Sequence, residues 1–351
     1  MTSSYQAGLR ISEYVLEERV GAGSFGEVWQ ARHHIWQDDR VAIKLPTEPE
    51  YVRYLQREGV VVHGLRHPNI VRVMGLDPYA DVPYLVMELV KGPSLRQVVN
   101  EHPTGLPVDI ALTVLRGILS AMVTAHAGNV LHRDLKPGNV MLHLADRNLK
   151  ELTRDDVKVG DFGLGVADPD ALREIVQSVS IDRENKLVGT MAYMAPELRD
   201  GESKPDARSD LYSIGVILFE LLTGERPAGA ELPSTLRAEV PAALDEVFRR
   251  LYSRYDSRYE SAQAVLDDLD SRLHPPLPAS SPPPLPTSAD GASRRSCSAC
   301  GQVIEAYDQF CTQCGQQIVP QVRRCSSCGG YPGADDSFCI FCGTTLTQAG
   351  G

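Results

Sequence analysis

The chain has 351 residues and a formal net charge of −11, from 46 acidic and 35 basic side chains. That length accommodates a two-lobed catalytic domain with a sizeable core plus a small extra module. The acidic balance and the lack of a basic stripe argue against a nucleic-acid or anionic-lipid surface, and no apolar run reaches the length of a membrane span.

Met1–Arg10 has no apolar signal segment, and Thr2 stands where N-myristoylation needs glycine. The expected location is therefore the cytoplasm. The first patterned stretch is Gly21-Ala22-Gly23-Ser24-Phe25-Gly26-Glu27-Val28, flanked by apolar runs Tyr14–Val20 and Glu27–Ala31 that predict two strands of a hairpin. Glycines let a backbone approach phosphate oxygens with no Cβ in the way. No Lys-Ser/Thr pair follows, so the loop is not a Walker A loop. It joins strand to strand rather than strand to helix, which disfavours a dinucleotide fold.

Val41-Ala42-Ile43-Lys44 predicts a third strand that ends on a lysine. A helix carrying Tyr54-Leu55-Gln56-Arg57-Glu58 follows, then His67-Pro68-Asn69-Ile70-Val71 and an apolar strand and connector, Tyr84-Leu85-Val86-Met87-Glu88-Leu89-Val90. Further on stand His132-Arg133-Asp134-Leu135-Lys136-Pro137-Gly138-Asn139 and, 27 residues beyond Asp134, Asp161-Phe162-Gly163. One such motif is weak; this ordered set is hard to obtain by chance.

From about Tyr14 to Leu273 the chain resembles a Hanks-type bacterial Ser/Thr protein kinase domain. The resemblance implies an α+β, two-lobed kinase fold with a small mostly-β N-lobe and a mostly-α C-lobe. It implies ATP and Mg²⁺ as cofactors and protein hydroxyls as acceptors. Asp134 would take or orient the acceptor's proton, Lys136 would stabilise the moving phosphoryl group, and Asn139 and Asp161 would hold Mg²⁺. Lys44 would hold the α- and β-phosphates with Glu58 as its carboxylate partner, while Glu50, beside Pro49, would cap the helix start. The nucleotide would lie against Val20, Gly21, Ala22, Gly23, Ser24, Phe25, Gly26 and Val28, with Ala42, Met141 and the gatekeeper Met87 as apolar walls. Glu88 and Val90 would offer backbone groups to adenine. Lysine two residues after the catalytic aspartate belongs to the Ser/Thr class rather than the tyrosine class.

The resemblance extends through Ala195-Pro196-Glu197, whose Glu197 would pair with Arg258. It also covers Asp210, which would cap the catalytic-loop backbone ahead of the apolar helix Ile214–Leu222. Three departures stand out. Tyr259 replaces the usual proline after Arg258. The stretch between Thr223 and Pro241 is short, so one C-lobe helix should be reduced or lost. The Asp161–Glu197 segment is long, with helical spacing over Pro169–Val176 and Asp170 as an N-cap. Ser178, Ser180 and Thr190 are its candidate phosphate acceptors, Ser178 and Ser180 first, with Arg133 as the counter-charge.

His274–Asp290 contains seven prolines and predicts an extended spacer. With residues up to Ser296 it could reach roughly 70 Å at about 3.1 Å per residue. This gives a kinase domain over 14–273, a linker over 274–296 and a module over 297–343.

All eight cysteines lie in that module. Cys297, Cys300, Cys311 and Cys314 recur 28 residues later as Cys325, Cys328, Cys339 and Cys342. Each CxxC is followed by glycine, which permits the positive φ of a knuckle whose N–H groups face the thiolates. Two Cys₄ zinc sites fit best. Four disulfides would need an oxidising compartment. Phe310 and Phe338, each before a third cysteine, would cover the metals. The module resembles the double zinc ribbons appended to bacterial kinases. From Gly291 to Gly351 four arginines balance four acids, so eight thiolates and two Zn²⁺ leave this tail net negative. A protein partner or an architectural role is therefore favoured over nucleic acid.

An active Ser/Thr kinase is the leading reading. A pseudokinase scaffold presenting the ribbons is the alternative, disfavoured because Lys44, Asp134 and Asp161 are all retained. Phosphorylation of a small molecule is weakened by the full activation segment.

Overall fold

The computed structural model describes residues 5–22, 26–48, 51–162, 191–199, 204–273, 295–304, 308–319, 322, 324–332, 336–339 and 342–346. The expectations for Gly23, Ser24, Phe25, Glu50, Pro169–Val176, Ser178, Ser180, Thr190 and His274–Asp290 lie outside these residues. The chain divides into two compact units, Met1–Pro276 and Leu277–Gly351.

The first unit opens with a six-stranded antiparallel sheet: β1 (Arg10–Ile11), β2 (Tyr14–Ala22), β3 (Gly26–His33), β4 (Arg40–Pro46), β5 (Val73–Asp77) and β6 (Tyr84–Glu88), in the spatial order β1-β2-β3-β4-β6-β5. Strand β3 alternates buried and half-buried side chains, as a strand with one core face must. Strand β4 is buried from Val41 to Pro46, an apolar run broken only by the buried Lys44. The predicted hairpin is β2–β3, in which Gly21 pairs with Val28. Helix α1 (Val52–His63) packs on β4, β5 and β6 and carries Glu58, whose side chain lies outside the described residues.

The rest of the unit is mainly helical: α2 (Leu95–Glu101), α3 (Val108–Ala127), α4 (Pro196–Arg199), α5 (Ala207–Thr223), α6 (Pro233–Leu236), α7 (Ala242–Leu251) and α8 (Ala262–Leu273), with a two-stranded ribbon of β7 (Val140–Leu142) and β8 (Val157–Val159). Helix α3 is long and apolar enough to cross a membrane by length and composition, a correction to the expectation that no run reaches that length. Ten of its residues are buried in the core, where it packs on α5, α8 and β8. Helix α5 is buried throughout from Ser209 to Thr223, and an all-round apolar helix can only sit at the centre of a core. Asp206 caps its start by accepting from the Arg208 and Ser209 amides, and Gly224 ends it at φ 80°. The reduced helix expected after Thr223 is the single turn α6.

Tyr259, in the place of the family's proline, is a core residue. Its hydroxyl donates to Asp268 at 2.5 Å and its ring lies under Arg250 at 3.7 Å.

The second unit holds two ribbons with little apolar core. β9 (Arg295–Ser296) pairs with β10 (Val303–Ile304), and a buried cluster joins Ile304 to Cys297 and Cys311. Phe310 of the first ribbon meets Tyr331 of the second edge-on at 5.3 Å. Gln309 donates its side-chain amide to the Pro332 carbonyl. Phe338, the counterpart of Phe310, is 59% exposed, so the cover expected over the second metal site is not seen at this residue.

Candidate active site

The catalytic-loop residues are held from behind by a buried carboxylate. Asp210, 2% exposed at the start of α5, accepts from the backbone amides of His132 and Arg133, each at 2.9 Å, and contacts His126 Nε2 at 2.9 Å. Two N–H groups trapped in a core need such an acceptor. The clamp holds Arg133 at φ 67°, and Asp161 stands at φ 58°. Both are non-glycine residues in the left-handed region, where a residue persists only if its surroundings fix it.

His132 is fully buried, and that burial lowers its pKa below the ordinary value. Its Nε2 lies 3.0 Å from the Gly160 carbonyl, which can only accept, so Nε2 carries the proton. Nδ1 is then the acceptor facing the Asp134 amide at 3.4 Å. The His132 ring also packs on Phe162 at 4.7 Å. One neutral imidazole thereby ties the Asp134 loop to the Asp161 segment.

The Asp134 carboxylate receives Lys136 Nζ at 2.7 and 2.9 Å and Asn139 Nδ2 at 3.2 Å. Asn139 Nδ2 also donates to the Asp134 carbonyl at 2.7 Å, which leaves Oδ1 as the ligand atom for a cation. Lys44 Nζ meets Asp161 Oδ1 at 2.7 Å. Asn139 and Asp161, at the same end of the antiparallel β7–β8 ribbon, offer hard oxygen ligands of the kind Mg²⁺ takes alongside phosphates.

These groups open into one cavity of about 1390 Å³, bordered by Val20, Gly21, Ala22, Gly26, Val28, Ala42, Met87, Glu88, Val90 and Met141 as well as Lys44, Asp134, Lys136, Asn139 and Asp161. The structure thus brings together every described candidate except Glu58, whose side chain is not described. Gly26 is required sterically, since a Cβ there would stand 2.3 Å from the Leu45 carbonyl oxygen. Ala42 and Met87 are register partners on β4 and β6. Glu88 gives its own N–H to the Arg72 carbonyl at 2.9 Å, and its carboxylate is held by Lys158 at 3.1 and 3.2 Å.

Glu197 and Arg258 form the expected pair, bidentate at 2.6 and 2.8 Å. Burial alone would raise the Glu197 pKa, but the guanidinium prevails and holds the carboxyl below its usual range. Sequence reasoning missed a second ion pair on the cavity wall, built on the buried Glu220. Arg96 donates to Glu220 at 2.7 Å, and Tyr193 donates to the same carboxylate. The available signal was Glu220 itself, the one charge in the otherwise apolar stretch of α5 from Leu211 to Thr223, which must have a partner.

In the second unit the four sulfurs of Cys297, Cys300, Cys311 and Cys314, and those of Cys325, Cys328, Cys339 and Cys342, lie within 4.8 Å of one another. The closest pairs are Cys297–Cys314 at 3.7 Å, Cys300–Cys311 at 3.5 Å, Cys325–Cys342 at 3.7 Å and Cys328–Cys339 at 3.6 Å. A tetrahedron with Zn–S bonds of about 2.3 Å has edges near 3.8 Å, whereas a disulfide needs about 2.05 Å. Gly301, Gly315, Gly329 and Gly343 stand at φ 74°, 75°, 74° and 72°, as the knuckle reading requires. Backbone amides face the sulfurs. The Thr344 hydroxyl and amide, first among several influences, bring the Cys342 thiol down to about 6. The donor set, spacing and amide orientation all fit two Cys₄ zinc sites.

Comparison with known proteins finds two family matches. The double zinc ribbon family matches residues 297–343, and the protein kinase domain family matches residues 14–274. The serine/threonine-protein kinase PrkC of Bacillus subtilis (strain 168) is 33% identical over 285 residues, covering 75% of this chain and 41% of its own length. The serine/threonine-protein kinase PknB of Mycobacterium tuberculosis (strain ATCC 25177 / H37Ra) is 32% identical over 311 residues, covering 82% of this chain and 46% of its own. The chain therefore spans less than half the length of these relatives. The crystal structure of the Mycobacterium tuberculosis PknI kinase domain superposes with a TM-score of 0.57 at 24% identity, covering 77% of this chain and 99% of that one, a likeness in fold. With the kinase match extending over well more than half of its residues, the chain belongs to the protein kinase domain family and carries a double zinc ribbon beside it.

Proposed function

We propose that the protein is an ATP-dependent Ser/Thr protein kinase. The observation that carries the reading is the convergence of Asp134, Lys136, Asn139, Asp161 and Lys44 on one cavity, in a chain whose relatives are named serine/threonine-protein kinases. Asp134 orients the acceptor hydroxyl and takes its proton as the oxygen bonds to the γ-phosphorus. The bond from that phosphorus to the β,γ-bridging oxygen breaks, and ADP leaves with the electron pair. Lys136, on the Asp134 carboxylate at 2.7 Å, is placed to offset the negative charge of the group in transit. Asn139 and Asp161 would hold Mg²⁺, which neutralises phosphate charge when bound. Lys44 positions the Asp161 carboxylate and offers its cation to the phosphates. The Glu88 N–H is committed to Arg72, so Glu88 offers adenine its carbonyl and Val90 supplies the second backbone group.

The ribbons serve a protein partner or an architectural role. Over Gly291–Gly351 the side-chain charges cancel and the metal-bound thiolates add negative charge, which suits a nucleic-acid backbone poorly.

The test is incubation of purified protein with labelled ATP and Mg²⁺, alone and with a generic protein acceptor. Label should appear on Ser or Thr of the acceptor or of the kinase itself. Nucleotide binding without transfer, in protein phosphorylated or not, would favour the scaffold reading instead.

A further inference from the structure

The cavity extends beyond the groups assigned to the nucleotide. Its volume of about 1390 Å³ exceeds the roughly 300–1,000 Å³ of ordinary small-molecule sites, and it continues past Asp134 to a second set of walls that includes Arg96, Tyr193, Glu220 and Arg226. An acceptor segment whose hydroxyl reaches Asp134 must lay its neighbouring side chains along those walls. Among the described residues that line the cavity, Glu220 is the sole buried carboxylate, at 4% exposure. A buried carboxylate beside an acceptor site is a strong attractor for a lysine or arginine of the incoming chain.

Here that attractor is already filled from within. Arg96, on the first turn of α2, sends Nη1 to Glu220 Oε1 at 2.7 Å and Nη2 to Oε2 at 3.4 Å. The Tyr193 hydroxyl takes Oε2 at 2.5 Å, and Arg96 also reaches the Tyr193 oxygen. Both oxygens of Glu220 are thus occupied, by two side chains, Arg96 of α2 and Tyr193 of the segment before α4. The Arg96 side chain itself is 36% exposed, so an arriving peptide meets a guanidinium rather than a carboxylate.

We infer that Arg96 is a specificity-determining residue: it occupies the Glu220 subsite as a built-in basic side chain, so the kinase discriminates against acceptor segments that carry lysine or arginine there. The inference rests on the kinase reading above. A second cation at this place would face Arg96 at close range with no free carboxylate oxygen to receive it. A neutral or acidic side chain meets no such penalty. The network also ties Tyr193, two residues before the Ala195-Pro196-Glu197 turn, to the central helix α5, so the subsite is complete only when that segment is docked.

The test is a set of serine peptides with arginine scanned through the positions flanking the acceptor, assayed for kcat/KM with wild type and with Arg96→Ala, Arg96→Gln and Arg96→Lys. Wild type and Arg96→Lys should gain nothing from arginine at any position. Arg96→Ala should prefer arginine by about tenfold at one or two adjacent positions, with Arg96→Gln intermediate. Adding Glu220→Gln to Arg96→Ala should abolish the preference. The same peptides with alanine replacing the acceptor serine separate this inference from the catalytic one. The arginine-bearing form should bind Arg96→Ala about tenfold tighter than wild type whether or not transfer occurs. Equal binding and equal selectivity in wild type and both neutral variants overturn the inference. So does a wild-type preference for arginine that Glu220→Gln removes.

Discussion

The two units are held together in opposite ways. In the kinase unit the large apolar helices α3 and α5 supply the core, and buried charges are held by ion pairs such as Glu197–Arg258 and Arg96–Glu220 or by hydrogen-bond donors, as Asp210 is. In the ribbon unit the first ribbon's buried cluster is Ile304 with two cysteines, Cys297 and Cys311, so two of its three core residues are also metal ligands. Such a segment cannot offset the conformational entropy of folding by apolar burial alone. The kinase unit should tolerate the loss of a metal from the ribbons, and the ribbons should not tolerate it at all.

The largest expected effect is therefore zinc removal. Structural zinc contributes on the order of 10–16 kcal/mol to such modules. Elemental analysis of the reduced full-length protein should give two Zn²⁺ per chain, and Cys297→Ser should leave one. Both tryptophans, Trp29 and Trp36, lie in the kinase unit, so tryptophan fluorescence follows that unit alone. Chelation should abolish the Co²⁺-substituted thiolate spectrum of the ribbons and leave the tryptophan melting curve in place. A shifted tryptophan transition would break the comparison, and a content of one metal or none would remove its premise.

A second test attacks the other side of the contrast, where function depends on single polar groups within a rigid frame. Asp134→Asn should lower kcat by about 10²–10⁴, the usual scale of a lost general base, while nucleotide affinity and both metals are kept. Asp161→Ala should weaken Mg²⁺-dependent nucleotide binding as well. Retention of more than about a tenth of wild-type kcat by Asp134→Asn would overturn the assignment.

How much of this was legible in the sequence follows the same division. The motif residues and the eight cysteines could be read because their chemistry fixes local spacing. The Glu197–Arg258 pair and the Asp210 clamp were reachable through the family resemblance. The Arg96–Glu220–Tyr193 network was not, because its members are up to 124 residues apart and belong to no short pattern. Only the isolated charge in an apolar helix marked the place. The lysine that anchors Glu88, Lys158, was invisible for the same reason: β8 reaches it by topology rather than by spacing. Phe338 misled in the opposite direction, since repeat symmetry suggested that it covers a metal site as Phe310 was expected to, yet it stands 59% exposed while Phe310 packs on Tyr331.

The third prediction concerns the buried ion pair that stands in for apolar packing. The Arg258 side chain is wholly buried, against 19% exposure for Glu197, and it also lies over the Tyr212 ring at 4.9 Å. Removing one partner strands the other, at a cost of about 3–5 kcal/mol. Arg258→Ala should lower the tryptophan-detected melting midpoint by several degrees, and the ribbons' Co²⁺ spectrum should not change. Replacing both partners with apolar residues should recover part of the loss. A midpoint within about one degree of wild type for Arg258→Ala would mean that the pair is not structural.

The smallest expected effect is a pH dependence, and it divides the kinase unit's own charges. His132 has a lowered pKa because burial disfavours its cation, so the folded state stays neutral while the unfolded chain takes up a proton below about pH 6.5. The unfolded state then binds more protons, and stability falls as pH drops through and below that value, by at most about 1.4 kcal/mol per pH unit. Glu197 and Asp268 also have lowered values, through Arg258 and Arg272 respectively, against the opposing effect of burial. Their contribution is present above the unfolded carboxylate range and is lost only as pH falls through it, near 4.5 and below. Acid destabilisation should therefore begin in a first phase shared by His132 and His67, whose pKa burial also lowers, before the carboxylates titrate. His132→Gln keeps an N–H donor for the Gly160 carbonyl and removes the titration. Its tryptophan melting midpoint should lie below wild type at pH 7.5, and the gap should narrow as pH is taken to 5.5. A gap that stays constant over that interval would show that His132 is not the group that titrates.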